Sequence, residues 1–209
     1  MSTLKLTGSS SGSTSLQAPA SGSDRTITFP NNAGTVLTNA TTGCILQVKQ
    51  NTTTSATGYF DLGTADNWYD YTNMNVAITP ASTSNKILIS VHAMGEGNYA
   101  DHGFHWRIKR AVAGGSTTYI QGGADGNRIT VIGQIAIGYY SVNNLSTPST
   151  IHLSNYLDSP SATTEVTYTV QMSVNSSSKK WYYNRSVTDS DTSSYERGVS
   201  HITVMEVAG

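Results

Sequence analysis

Charge is scarce in this chain. Only 12% of its 209 residues are Asp, Glu, Lys or Arg, and the formal net charge is -1. A nucleic-acid partner would need a basic face to neutralise phosphates. The single adjacent lysine pair, Lys179-Lys180 beside Trp181, reads instead as a solvated hairpin end. Cysteine is nearly absent. Cys44 stands alone, so no internal disulfide can form, and stability must come from core packing or from association between chains. Its setting, Cys44-Ile45-Leu46, suits a small buried residue better than a nucleophile. Long apolar runs are missing too. None approaches the ~18 residues of a membrane span, and Met1-Ser2-Thr3-Leu4-Lys5 holds no apolar core of signal-peptide length. The expectation is a chain made in a cytosol, without membrane insertion or classical export. Nor does any window of helix length repeat its apolar residues with a helical period.

Polarity is supplied by Ser, Thr, Asn and Gly, which suit strands and tight turns better than the wet faces of helices. Residues 1–43 carry short alternating pieces: Leu4-Lys5-Leu6-Thr7, Ser13-Thr14-Ser15-Leu16, Thr26-Ile27-Thr28-Phe29 and Thr35-Val36-Leu37-Thr38. Each places apolar residues two apart, the period of a strand with one buried face. Four such pieces bury too little to stand alone, so they are expected to pair between chains.

From residue 44 to 209 the pattern is that of a β domain. Asn85–Ala93 reads as a long central strand. Gly103–Ala113 alternates around Phe104, Trp106 and Ile108. Arg128–Gly138 sets Ile129, Val131, Gly133, Ile135 and Ile137 on one face. Thr150–Leu157 puts His152 with Ser154 and Tyr156. Thr164–Val174 turns Val166, Tyr168, Val170, Met172 and Val174 inward, and Gly198–Val207 spaces Ile202, Val204 and Glu206 two apart. Turn chemistry joins them at Gly114-Gly115, Asp125-Gly126-Asn127, Asn143-Asn144 and Ser159-Pro160. Many strands with no helices between them predict an all-β fold, an antiparallel jelly-roll-like sandwich.

Enzyme-like motifs fail on context. Gly8-Ser9-Ser10-Ser11-Gly12 matches a nucleophile elbow, which needs a strand-to-helix turn that this low-complexity stretch does not offer. Gly95-Glu96-Gly97-Asn98-Tyr99-Ala100 matches a dinucleotide fingerprint but runs into the strand pattern of Phe104-His105-Trp106-Arg107, so it reads as a hairpin loop. His92, His102 and His105 lack the spacing of zinc ligands. Asp189-Ser190-Asp191, set between Arg185 and Arg197, reads as an ion-paired turn rather than a calcium loop. No catalytic residue, metal or cofactor is expected. The aromatic clusters Trp68-Tyr69-Asp70-Tyr71 and Trp181-Tyr182-Tyr183-Asn184 suit contacts with a glycan or protein, while alternate members can fill the core.

Three N-terminal segments, Gly12-Ser13-Thr14-Ser15-Leu16-Gln17-Ala18-Pro19-Ala20, Arg25-Thr26-Ile27-Thr28-Phe29-Pro30 and Ala33-Gly34-Thr35-Val36-Leu37, together resemble an N-terminal module of virion proteins from marine tailed bacteriophages. The C-terminal pieces Asn184-Arg185-Ser186, Asp189-Ser190-Asp191, Tyr195-Glu196-Arg197-Gly198-Val199-Ser200 and Ile202-Thr203-Val204-Met205-Glu206-Val207 resemble the same proteins. The resemblance lies towards the two ends of the chain. It implies a homotrimeric particle component at the virion surface: a tail fibre or spike, or alternatively a capsid decoration protein. A fibre-borne carbohydrate-active enzyme using two of Asp61, Asp66, Asp70 and Glu96 is the remaining reading. On this view Leu4, Leu6, Leu16, Ile27, Phe29, Val36 and Leu37 attach the chain to other virion proteins. Trp68, Tyr69, Tyr71, Tyr99, His102, Trp181 and Tyr182 would contact a glycan or protein of the host surface.

Overall fold

A computed structural model describes residues 3–7, 12–17, 42–99, 103–135 and 146–209. The expected strands at Thr26–Phe29 and Thr35–Thr38, with Ile27, Phe29, Val36 and Leu37, lie outside the described residues, as do His102, Ile137 and Asn143-Asn144. The chain divides into two compact units, Met1–Val36 and Leu37–Gly209.

In the first unit β1 (Thr3–Thr7) pairs antiparallel with β2 (Ser13–Gln17), setting Leu4 opposite Leu16 and Leu6 opposite Thr14. Opposed residues share a face of the ribbon. Leu6 is 53% exposed, and a two-stranded ribbon is marginal by itself in water.

The second unit is two antiparallel sheets around one core. The six-stranded sheet runs β3 (Ile45–Thr53), β13 (Ser200–Val207), β6 (Lys86–Gly97), β12 (Lys179–Tyr183) and β4 (Tyr59–Leu62). On the far edge of β6 lies β10 (Ser149–Asp158). The five-stranded sheet runs β5 (Tyr69–Ile78), β11 (Val166–Val174), β7 (Phe104–Val112) and β8 (Thr117–Ile120), with β9 (Gly133–Ile135) also on β7. Among the described residues there is no helix, and so none long and apolar enough to cross a membrane.

Strand period explains the core. β6 buries alternate residues, Ile87, Ile89, Val91 and Ala93, and these meet Ile202, Val204, Ile151 and Trp181 of their own sheet. Facing them are Val166, Tyr168, Val170, Met172 and Val174 of β11 and Phe104, Trp106 and Ile108 of β7. Each fully buried aliphatic side chain contributes about 1.5–3 kcal/mol. Glu206, spaced with Ile202 and Val204, is buried with them. Its carboxylate accepts bonds from the Ala81 amide (2.6 Å), Asn85 Nδ2 (2.5 Å) and Gln47 Nε2 (2.6 Å). Burial alone would raise its pKa; the donors outweigh burial and hold it below the usual carboxylate range.

Two expectations need correction. The hairpin loop assigned to Gly95–Ala100 begins later, because β6 continues through Gly97 to pair Gly95, Glu96 and Gly97 with Tyr183, Tyr182 and Trp181. A glycine is required there: a Cβ on Gly95 would fall 2.4 Å from the Tyr182 carbonyl oxygen and 2.5 Å from Trp181 Nε1. The strand expected over Arg128–Gly138 is confined, among the described residues, to Gly133–Ile135. Gly126 turns the chain at φ 60°, Arg128 folds back onto Asp125, and Ile129 is left exposed.

Candidate functional site

The cluster at the start of β5 splits by strand alternation. Tyr71 points into the core, 1% exposed, where its ring stacks on Phe60 and Tyr183. Asp70 turns the other way, onto the outer face of the five-stranded sheet. There the register sets Arg107 of β7 opposite Gln171 of β11, and Gln171 opposite Asp70. Arg107 is 8% exposed, with its guanidinium carbon 4.1 Å from the Trp68 ring centroid and 3.7 Å from that of Tyr119. Its Nε donates to Gln171 Oε1 and its Nη1 to Gln121 Oε1, both at 2.8 Å. Gln171 in turn donates to Asp70, which also pairs with Lys109. The cation thus lies over two aromatic rings and donates to two side-chain amides. Burial lowers the Arg107 pKa, and the nearby Tyr119 opposes the shift.

One row further along, His105 stands opposite Ser173. Both are buried, and His105 Nδ1 and Ser173 Oγ have no hydrogen-bond partner. An unsatisfied buried polar atom costs about 1–3 kcal/mol. Burial depresses the His105 pKa, against the pull of Asp66. Trp68, Arg107, Tyr119, Asp70, Gln121, Gln171, His105 and Ser173 therefore make one polar and aromatic face.

The second aromatic cluster divides the same way. Tyr182 packs against Tyr59 with the ring centroids 5.5 Å apart and the planes tilted by 48°, and the Arg185 guanidinium carbon lies 4.7 Å from the Tyr182 ring centroid. Tyr99 packs partly against the core, with Lys179 Nζ 3.7 Å from its ring centroid. Tyr69 also packs against the core, and its hydroxyl accepts the Thr64 amide. Trp181 and Tyr71 cannot meet a host surface as expected. Trp181 is fully buried, with its indole donating to Tyr71 Oη, because the register of β12 on β4 and β6 turns it inward.

Of the four carboxylates named for a glycosidase reading, Asp70 and Glu96 are engaged in structural bonds. Glu96 is 0% exposed and accepts the amides of Thr147 (2.9 Å) and Val187 (2.7 Å), binding two loops to the end of β6. Burial raises its pKa, which those amides partly offset. Asp189 is ion-paired as expected, at 2.7 Å from Arg197 and 3.7 Å from Arg185. It lines an open hollow of about 270 Å³ with Ser190, Asp191, Thr192 and Tyr195. Among the described residues no three His, Cys, Asp or Glu side chains are placed to hold a metal ion.

Of the expected contact residues, Trp68 joins the Arg107 face and Tyr182 packs beside Tyr59. Arg107, Tyr119, Gln121 and Gln171 were not singled out by sequence. A signal existed: if Phe104, Trp106 and Ile108 face inward, His105, Arg107 and Lys109 must face out. Fold and face together define an antiparallel β-sandwich with an ordered outer polar-aromatic face. No family model matches the chain, and no curated protein matches it.

Proposed function

We propose that this chain is a non-catalytic structural component of a bacteriophage particle, a homotrimeric fibre or spike whose head contacts the host surface through the Trp68–Arg107–Tyr119 face. The observation that carries the binding role is the ordering of that face. Rings and amides on β8, β11 and the adjoining loops are already fixed around one buried cation on β7. A face fixed before contact loses little side-chain entropy on binding, and aromatic rings beside amides and carboxylates suit sugars and protein loops alike. The engagement of Glu96 and Asp70 in structural bonds supports the non-catalytic reading. The particle assignment rests on the resemblance of residues 12–37 and 184–207 to phage virion proteins.

Purified virions carrying Trp68→Ala with Tyr119→Ala should assemble normally and adsorb to host cells at least about tenfold more slowly. Unchanged adsorption would overturn the binding role. Band intensity in virions gives copy number: tens of copies or fewer fit a fibre, hundreds fit capsid decoration, and absence removes the particle assignment.

A further inference from the structure

The outer face of the six-stranded sheet is banded. Directly opposed residues of an antiparallel sheet share a face, so the register arranges its outward side chains in rows. One row is Val48, Met205, Leu88 and Leu157, on β3, β13, β6 and β10. Val48 is 53% and Leu157 54% exposed. Beside it, Ile45 (50% exposed) and Val207 extend the apolar band to Lys86, which donates to Ser159. The next row is hydroxyls and an amide: Gln50, Thr203 and Ser90, with Gln50 donating to Thr203. The last is Thr52, His201, His92 and His152. The His92 ring lies 5.6 Å from His201, nearly parallel, and 6.3 Å from His152. Lys49 falls on the row of the buried Val204 and so belongs to the other side.

We propose that this face docks on the same face of a second copy of the chain, and that protonation of the histidine row releases it. Two arguments select a second copy. The first is charge. Among the described residues these rows hold no carboxylate and no guanidinium, and their one ammonium, Lys86 at the end of the band, donates to Ser159, so a charged partner finds little to pair with. With the histidines neutral, each copy brings only the Lys86 ammonium, at one end of the face, and a two-fold axis parallel to the strands lays apolar band on apolar band. The second is size. Four strands at about 4.8 Å spacing, with side chains, span roughly 19 Å, and seven residues at about 3.4 Å span roughly 24 Å. That is roughly 450 Å² in projection, the scale of a small reversible interface.

The release follows from the neighbours of His92. β13 presents His201, β10 presents His152, and β3, beyond β13, presents only Thr52. Burial, then His201, then His152, lowers the His92 pKa. Docking would desolvate the row further and favour its neutral form. Association is therefore complete above the imidazole range and lost as pH falls through it.

Sedimentation equilibrium on the full-length chain tests this. Whatever assembly other surfaces make, its mass at about pH 8 should be twice that at about pH 5, with affinity at least about tenfold weaker in acid. Leu88→Lys with Leu157→Lys should halve the mass at about pH 8. Val48→Lys, on an exposed edge position where folding is not at stake, should weaken association in the same direction. Replacing His92, His152 and His201 by Gln should preserve the doubled mass at both pH values. Equal mass at both pH values in the unmodified chain, or a doubled mass that survives both lysine variants, would overturn the proposal. An association that persists while its pH dependence ignores the histidine variant would overturn the release.

Discussion

Arg110 of β7 sets its Nη1 2.7 and 2.9 Å from the two carboxylate oxygens of Asp158 at the end of β10, tying the two sheets together. Tyr168 of β11 donates its hydroxyl to the same carboxylate at 2.7 Å. The side chains are 19% and 8% exposed, so the pair is largely out of water. Breaking a buried pair from one side strands the other charge. Asp158→Ala should therefore lower the unfolding free energy by about 3–5 kcal/mol. Asp158→Asn, which can still accept from Tyr168, should cost less. Urea denaturation of both variants checks the order; equal losses would mean that the Tyr168 bond contributes nothing.

Gly95 and Gly198 should respond differently to alanine. A Cβ on Gly95 meets the backbone oxygen of Tyr182 at 2.4 Å and the indole of Trp181, neither of which can move without separating β6 from β12. At Gly198 the near atom is Met94 Sδ, at 1.8 Å, the far part of an unbranched side chain that can turn away. Gly95→Ala should cost about 3 kcal/mol or more and Gly198→Ala about 1 kcal/mol or less. Thermal melts of the two variants separate these outcomes.

Strands with clean alternation were legible in the sequence: β6, β11 and β13 each show apolar residues two apart. β12 was not, because Lys-Lys-Trp-Tyr-Tyr sends a single residue, Trp181, fully inward, and the flanking tyrosines mask the period. The same limit hid the rest of the Arg107 face. Trp68 stood out locally, but Tyr119, Gln171 and Arg107 are brought together by the pairing of β7 with β8 and β11, which is set by long-range register. The histidine row is another case. His92, His152 and His201 sit on three strands far apart in the chain, and only the register aligns them.

Acid should destabilise the second unit in two stages. Burial lowers the pKa of His105 and of His92, so their neutral forms belong to the folded state. Their contribution is present above the unfolded imidazole value of about 6.5 and is lost as pH falls through the lower folded values. Glu206 follows in the carboxylate range. Its folded pKa is depressed, so its stability is present above about 4.3 and lost as pH falls through the folded value. Glu206→Gln keeps one acceptor oxygen where the carboxylate uses two. It should cost about 1–3 kcal/mol at neutral pH and remove the second stage. His105→Gln should shrink only the first, leaving the part that His92 contributes. A denaturation midpoint followed against pH for each variant tests the assignment.

The Arg107 clamp should show as coupling energy. Trp68→Ala removes a ring from one face of the guanidinium and leaves the bonds to Gln171 and Gln121 in place. Arg107→Ala removes the cation and both bonds. Stacking of a partly desolvated guanidinium on an aromatic ring is worth about 0.5–2 kcal/mol. The double variant should therefore be less destabilised than the sum of the singles by that amount. Arg107→Lys should behave nearly like Arg107→Ala, since an ammonium lacks the planar fork that donates through Nε and Nη1 to two amides while resting over two rings. Additive single effects would mean that Trp68 and Arg107 are only neighbours, and the face would then be ordered by the glutamines rather than by the rings.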